Sequence, residues 1–249
     1  MSTGITAARV LVALDTPELT RAARLAQALR GAVGGVKIGK ELFTAHGPDG
    51  VRAVAGGEPL FLDLKFHDIP NTVAGAVRAA VHLRPALLTI HAAGGAAMIQ
   101  AAAEAAREAA EDAGTPRPLI IAVTVLTSLD EADLEAVGQR GPLPEQVKRL
   151  AALAQSSGAD GVVCSPREIA PLRALCGPDF ALVVPGIRPA WAIAGDQKRV
   201  MGPAEALAAG ADYLVIGRPI TGQANPLRAA RRIAEEIAQE KAPSQGSLS

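Results

Sequence analysis

Eight short apolar runs recur along the chain, at 10–14, 35–38, 60–64, 87–90, 119–126, 161–164, 181–184 and 213–216. They are rich in β-branched residues and lack polar alternation, the pattern of strands covered on both faces. Helical patterns fall between and after them, at 18–29, 41–55, 72–82, 96–113, 145–156, 168–175, 203–209 and 226–239. In the first of these, apolar residues recur at Leu19, Ala22, Ala23, Leu25, Ala26 and Leu29. Several segments end in glycine, as at Gly31, Gly114, Gly158, Gly177 and Gly210, which suits helix termination. Repeated strand–helix units make a parallel sheet. Eight of them in 249 residues fit an α/β fold with a single (β/α)8 TIM barrel and few insertions. A doubly wound open sheet is the alternative. No linker interrupts the pattern, so one barrel domain is expected over 1–241. The tail 242–249 is expected to be disordered.

Composition narrows the class. Apolar residues make up 49 % of the chain but aromatics only 2 %, so Ala, Val, Leu and Ile must build the core. Lys+Arg and Asp+Glu balance at 25 each, which argues against a broad nucleic-acid or anionic-membrane surface. A local cluster of cations can still hold a small anion. Cys164 and Cys176 are too few for a disulfide framework or a zinc site, and Cys164, inside an apolar run, reads as a reduced buried thiol. Residues 1–9 show no cationic start followed by an apolar core, so no signal peptide is expected. No apolar stretch reaches the roughly 20 residues of a membrane span. The expected setting is cytoplasmic.

A barrel of this kind does its chemistry where the strands end, at the C-terminal face. The first strand ends in Asp15, the second carries Lys37, the third ends in Asp63 and Lys65, and the fourth in His91. The fifth ends near Thr127, the seventh runs into Pro185-Gly186-Ile187-Arg188, and the eighth ends in Gly217-Arg218. Residues two apart on a strand share a face. If Phe61, Asp63 and Lys65 face the barrel interior, Leu62 and Leu64 face the helices. Lys37 and Asp15 can then join an alternating array of acids and bases. A buried charge is costly unless paired, so each member helps keep its neighbour ionised. The plainer alternative is an ion-pair plug that only closes the mouth. Ionisable groups clustered in a cleft favour the functional reading.

Loops after the last two strands of such barrels often bind phosphate. Gly217 lets backbone N–H groups approach an anion, and Arg218 can clamp it bidentately. The loop after the seventh strand adds Arg188 and Gln197, and the segment 188–200 is the expected lid. Phe43, Trp191 and Tyr213 are too scattered to stack nucleic-acid bases. His46, His67, His82 and His91 are not spaced as a metal-ligand set. Asp15, Asp63 and Asp68 could hold magnesium, but Lys37 and Lys65 would compete for the same oxygens. No Walker loop is present, and no GxGxxG follows a strand.

The run DLKFHDIPNT at 63–72 resembles the signature of the orotidine 5′-monophosphate decarboxylase family. The similarity extends over almost the whole barrel. It includes ALD at 13–15, GVKIGKELF at 35–43, IHAAGG at 90–95 and VLTS at 125–128. It continues through GVVCS at 161–165, PGIRP at 185–189, AGDQKR at 194–199 and VIGRP at 215–219. The DxKxxD pattern alone is shared with sugar-phosphate decarboxylases and a hexulose-phosphate aldolase. DIPNT, PGIRP and the AGDQ spacing favour the orotidylate enzymes.

The resemblance implies a carboxy-lyase that works without cofactor or metal. It would convert orotidine 5′-monophosphate to UMP and CO2, the last step of de novo pyrimidine nucleotide synthesis. The catalytic set it implies is Lys65, Asp63, Lys37 and Asp68. Lys65 would protonate carbon 6 of the pyrimidine, and Asp63 would sit beside the substrate carboxylate. Lys37 would contact the ribose as well as the array, and Asp15 would bind a ribose hydroxyl. Asp68 and Thr72 would reach the neighbouring subunit's site in a homodimer, and Ile69 between them joins the substrate-binding set. Thr127, with Ser128, would lie near the base. Arg188, Gln197, Gly217 and Arg218 would hold the phosphate. His91 would only brace the array. No nucleic-acid or membrane partner is implied. Two other readings stay open: a magnesium-dependent sugar-phosphate decarboxylase or aldolase of the same superfamily, and a non-catalytic phosphate-binding barrel.

Overall fold

The computed structural model describes residues 7–192 and 201–240. Its strands are β1 (Val10–Ala13), β2 (Gly35–Gly39), β3 (Leu60–Phe66), β4 (Leu87–His91), β5 (Leu119–Val123), β6 (Gly161–Val163), β7 (Ala181–Pro185) and β8 (Tyr213–Ile216). They pair in parallel in chain order, and β8 returns to pair with β1, so the sheet closes. Among the described residues the helices are α1 (Leu19–Leu29), α2 (Lys40–Ala55), α3 (Pro70–Val81), α4 (Ala96–Asp112), α5 (Glu131–Ala136), α6 (Leu143–Ser156), α7 (Ile169–Cys176), α8 (Pro203–Ala208), α9 (Arg218–Thr221) and α10 (Pro226–Glu240). This is the expected (β/α)8 barrel.

The period of two along each strand divides its side chains into two layers. Val12, Ile38, Leu62, Leu88, Val162, Leu182 and Leu214 face outward and pack with Ala22, Ala26, Ala102, Ala106 and Ala151 of the helices. Alanine lets the helices lie close to the sheet, which is how a core with few aromatics is filled. The alternate residues, Leu11, Ala13, Phe61, Leu87, Ile121, Val183 and Val215, fill the barrel itself. Phe61 is the largest of these and is 1 % exposed. Truncating such a side chain to alanine costs about 3–5 kcal/mol.

Four local features differ from the expectation. Strand β5 stops at Val123 rather than at 126. Its ladder to β6 ends at Val123 opposite Val163, where the Thr124 hydroxyl donates to the Val163 carbonyl at 3.1 Å. The chain then leaves the sheet. Helix α5 was not expected; a capping box closes its start, with the Asp130 and Asp133 carboxylates each accepting the other's backbone N–H at 3.0 Å. Helix α9 begins directly after Gly217, where a loop was expected. Helix α2 is broken at Gly47, whose φ of 59 is not helical, before Pro48.

The feature that most affects the site lies in β3. Leu62 stands opposite Leu88, but the next partners are Phe66 and Ile90. Asp63, Leu64 and Lys65 therefore face the single residue Thr89. Lys65 takes a positive φ of 54, a conformation that costs a non-glycine residue roughly 1–3 kcal/mol. The expected facing of Phe61 inward and Leu62 and Leu64 outward holds. Lys65 reaches the interior through this bulge, not through plain alternation.

Candidate active site

A cavity of about 370 Å³ opens at the C-terminal ends of the strands. Its floor is the last interior layer of the barrel: Ala13, Phe61, Val123, Val163, Val183 and Val215. Its polar lining holds Asp15, Lys37, Asp63 and Lys65 together with Thr127, Arg188, Gly217 and Arg218. Eight of the residues expected from the sequence therefore meet in one space. A second cavity of about 620 Å³ lies beside it, between the loops after β5, β6 and β7. It is larger, but the acid–base array lines only the first.

The array is continuous. Asp15 Oδ1 accepts from Lys37 Nζ at 3.0 Å, Lys37 Nζ lies 3.5 Å from Asp63 Oδ2, and Lys65 Nζ donates to Asp63 Oδ1 at 2.7 Å. Lys37 and Asp63 are each only 8 % exposed, so neither relies on water to screen its charge. Gly39 leaves room for this pairing, because a Cβ there would stand 3.3 Å from Lys37 Nζ. Burial works against charge on Asp63. Lys37 and Lys65, with hydrogen bonds from Lys65 and Thr89, overcome it and hold the carboxyl below its ordinary value of 3.8. The hub of the array is thus an anion between two ammonium groups.

Thr89 has no counterpart in the sequence reading. It is fully buried, accepts from the Lys65 N–H at 2.8 Å and donates to Asp63 Oδ1 at 3.0 Å. In the run LLTIH it reads only as a β-branched strand residue, so nothing local flags it. His91, at the end of β4, stacks on His67 with ring centroids 5.2 Å apart. Burial, with the nearby His67, Lys40 and Lys65, pushes its imidazole down to about 4. It is neutral at neutral pH and does not line the cavity.

After β7, Gly186 has a φ of 80. That left-handed turn after Pro185 carries the chain to Arg188, whose N–H donates to the Met201 carbonyl at 3.2 Å. Gly217 and Arg218 enter from the end of β8. Gln197, and the part of the expected lid at 193–200, lie outside the described residues.

Asp68, Ile69 and Thr72 do not line the cavity of their own chain. Asp68 is exposed, and its Oδ1 accepts the Ile69 N–H at 2.7 Å. Ile69 is 66 % exposed, and Thr72 is exposed in the first turn of α3. Among the described residues no three His, Cys, Asp or Glu side chains gather to hold a metal ion.

Chemically, the pocket offers a transferable proton on an ammonium, an anion fixed beside it, and two guanidinium groups over an apolar floor. It can bind an anionic small molecule and act on a developing negative charge.

The comparisons with known proteins agree with this geometry. A family model described as "Orotidine 5'-phosphate decarboxylase / HUMPS family" matches residues 8–233. The orotidine 5′-phosphate decarboxylase of Paramagnetospirillum magneticum is 62 % identical over 229 residues, covering 92 % of this chain and 97 % of that protein. That of Rhodospirillum rubrum is 58 % identical over 230 residues, covering 92 % and 93 %. Among solved structures, orotidine 5′-phosphate decarboxylase from Lactobacillus acidophilus is 39 % identical with a TM-score of 0.79, covering 92 % of this chain and 98 % of that one.

Proposed function

The chain belongs to the orotidine 5′-phosphate decarboxylase / HUMPS family, and we propose that it converts orotidine 5′-monophosphate to UMP and CO2. It is a carboxy-lyase of pyrimidine nucleotide synthesis. The observation that carries the reading is that the Lys37–Asp63–Lys65 array, Arg188 and Arg218 line one cavity.

Loss of CO2 from the pyrimidine leaves an electron pair at carbon 6 that the ring π-system does not delocalise. A cation held where that charge develops stabilises the transition state. Lys65 Nζ is that cation. It then transfers a proton to carbon 6, the new C–H bond replacing the broken C–C bond, and regains a proton from solvent. Lysine serves where arginine would not, because arginine does not give up its proton. Asp63 repels the substrate carboxylate in the ground state, and the repulsion vanishes as neutral CO2 departs. Lys37 and Asp15 hold the ribose, and Thr127 lies by the base. Arg188, Gln197, Gly217 and Arg218 hold the phosphate, whose binding energy acts far from the bond that breaks. No cofactor takes part in this scheme.

The working unit in this reading is a homodimer. Asp68, Ile69 and Thr72 stand exposed just beyond the array's own strand, which supports their serving a partner's site. The proposed setting is cytoplasmic; among the described residues no helix is long and apolar enough to cross a membrane.

Purified protein incubated with orotidine 5′-monophosphate and a chelator should form UMP at the rate seen without chelator. Chelator-sensitive turnover would favour a magnesium-dependent relative. Mixing inactive Lys65→Ala chains with inactive Asp68→Ala chains should restore part of the activity, because one site in each mixed dimer is then intact. No recovery would reject shared sites.

A further inference from the structure

Opposite Thr89, strand β3 carries two residues more than a regular ladder accommodates. Backbone groups in such a bulge lose their ladder partners and must find others. The Lys65 N–H finds Thr89 Oγ1 at 2.8 Å. The Thr89 hydroxyl donates to Asp63 Oδ1 at 3.0 Å, and the same oxygen accepts Lys65 Nζ at 2.7 Å. The three bonds close a ring from the Lys65 backbone through Thr89 and Asp63 back to the Lys65 side chain. Their direction is settled by chemistry: an amide N–H only donates and an ionised carboxylate only accepts, so a single hydroxyl serves both.

Thr89 is fully buried and does not line the cavity. It cannot touch substrate, and any influence it has passes through Lys65 and Asp63. Lys65 also holds a positive φ of 54, which a non-glycine residue keeps only when its surroundings over-determine it. The bond from its N–H to Thr89 is one such constraint, and the ion pair to Asp63 is another.

We propose that Thr89 is a positioning residue of the reaction, its hydroxyl fixing the bulge at Lys65 so that Nζ and the Asp63 carboxylate are aimed together into the cavity. The proposal rests on the reading of Lys65 as proton donor. A proton donor displaced by about 1 Å loses on the order of 10²-fold in rate, whereas the phosphate contacts lie elsewhere and keep their grip on the nucleotide.

The test compares Thr89→Val, which keeps the branched shape and removes the hydroxyl, with Thr89→Ser, which keeps the hydroxyl. Thr89→Val should lower kcat by roughly 10- to 100-fold while its KM and its affinity for UMP stay within about threefold of wild type. Thr89→Ser should restore kcat to within about threefold. A kcat for Thr89→Val within twofold of wild type, or equal losses in kcat and UMP affinity, overturns the proposal. If Thr89→Val does not fold, Thr89→Cys replaces it, because a thiol is a weak donor and acceptor. Equal kcat for the Ser and Cys variants then overturns the proposal. Wild type and Lys65→Ala run alongside. Absence of turnover in wild type rejects the functional reading, and activity in Lys65→Ala rejects the proton donor. A normal kcat in Thr89→Val with both controls as expected rejects Thr89 alone.

Discussion

At the N-terminal end of the barrel, Arg173 lies 2.5 Å from Asp212 and Arg117 lies 2.6 Å from Asp160; at the opposite end, Lys37 and Lys65 flank Asp63. The partners differ more than the charges do. Asp160 also accepts the Ile120 N–H, and Asp212 the Leu182 N–H, each at 2.8 Å, so each carboxylate caps the start of a neighbouring strand. Arg173 donates to the carbonyls of Gly177, Pro178, Phe180 and Gly210 as well as to Asp212. These groups are committed to main chain. Asp63 receives two amines and a hydroxyl, and both amines border an open cavity. The basic residue at the base is arginine, which keeps its proton; at the mouth it is lysine, which can give one up. Ion pairs at the base tie main chain together, and ion pairs at the mouth leave two ammonium groups facing an open cavity.

Four tests bear on that contrast. The largest effect is expected for Asp63→Ala, which sets Lys37 and Lys65 against each other with no anion between. Turnover should fall by about 10²–10³-fold, read as UMP formation; near-normal turnover would make the mouth array a plug. Next is Arg218→Ala, where loss of a charged clamp should weaken UMP binding by roughly 10- to 100-fold. Uridine binding should hardly change, and calorimetry with both ligands distinguishes a phosphate clamp from general damage.

At the base the readout reverses. Arg173→Ala strands Asp212 and several carbonyls, and should cost about 3 kcal/mol. That is roughly 6–12 °C in melting temperature for a chain of this size, with turnover per folded molecule unchanged. A loss of turnover without a loss of stability would erase the distinction between the two ends.

The fourth effect is confined to acid pH. His91 titrates lower in the folded chain, at about 4 against an ordinary 6.5, so the unfolded chain binds that proton first as the pH falls. Stability should decline between those two values, and His91→Gln should flatten the decline in urea midpoints. Asp63 is also depressed, below its ordinary 3.8. Its contribution is present above that value and is lost at more acid pH, so the two windows separate.

The barrel was legible because its signals are periodic and repeated. Strand runs and helical patterns recur eight times, and a break in one leaves seven to carry the pattern. Asp15, Lys37, Asp63, Lys65, Arg188 and Arg218 were legible because charges at the ends of apolar runs stand out. The rest depends on contacts that leave no local trace. The bulge at Lys65 is a backbone conformation, and no side-chain pattern encodes it. Thr89 meets Asp63 across 26 positions and looks like any strand threonine. Helices α5 and α9 are too short for a helical period; only the Asp130 and Asp133 spacing hints at the first. Asp68, Ile69 and Thr72 came from family resemblance, and a single chain does not bring them to its own cavity.

The most direct test is turnover of orotidine 5′-monophosphate by Lys65→Ala, measured together with its affinity for UMP. The kcat should fall by at least about 10³-fold while UMP still binds within a few-fold of wild type. Substantial residual turnover with intact binding would contradict the role of Lys65, because the proton would then come from somewhere other than the array.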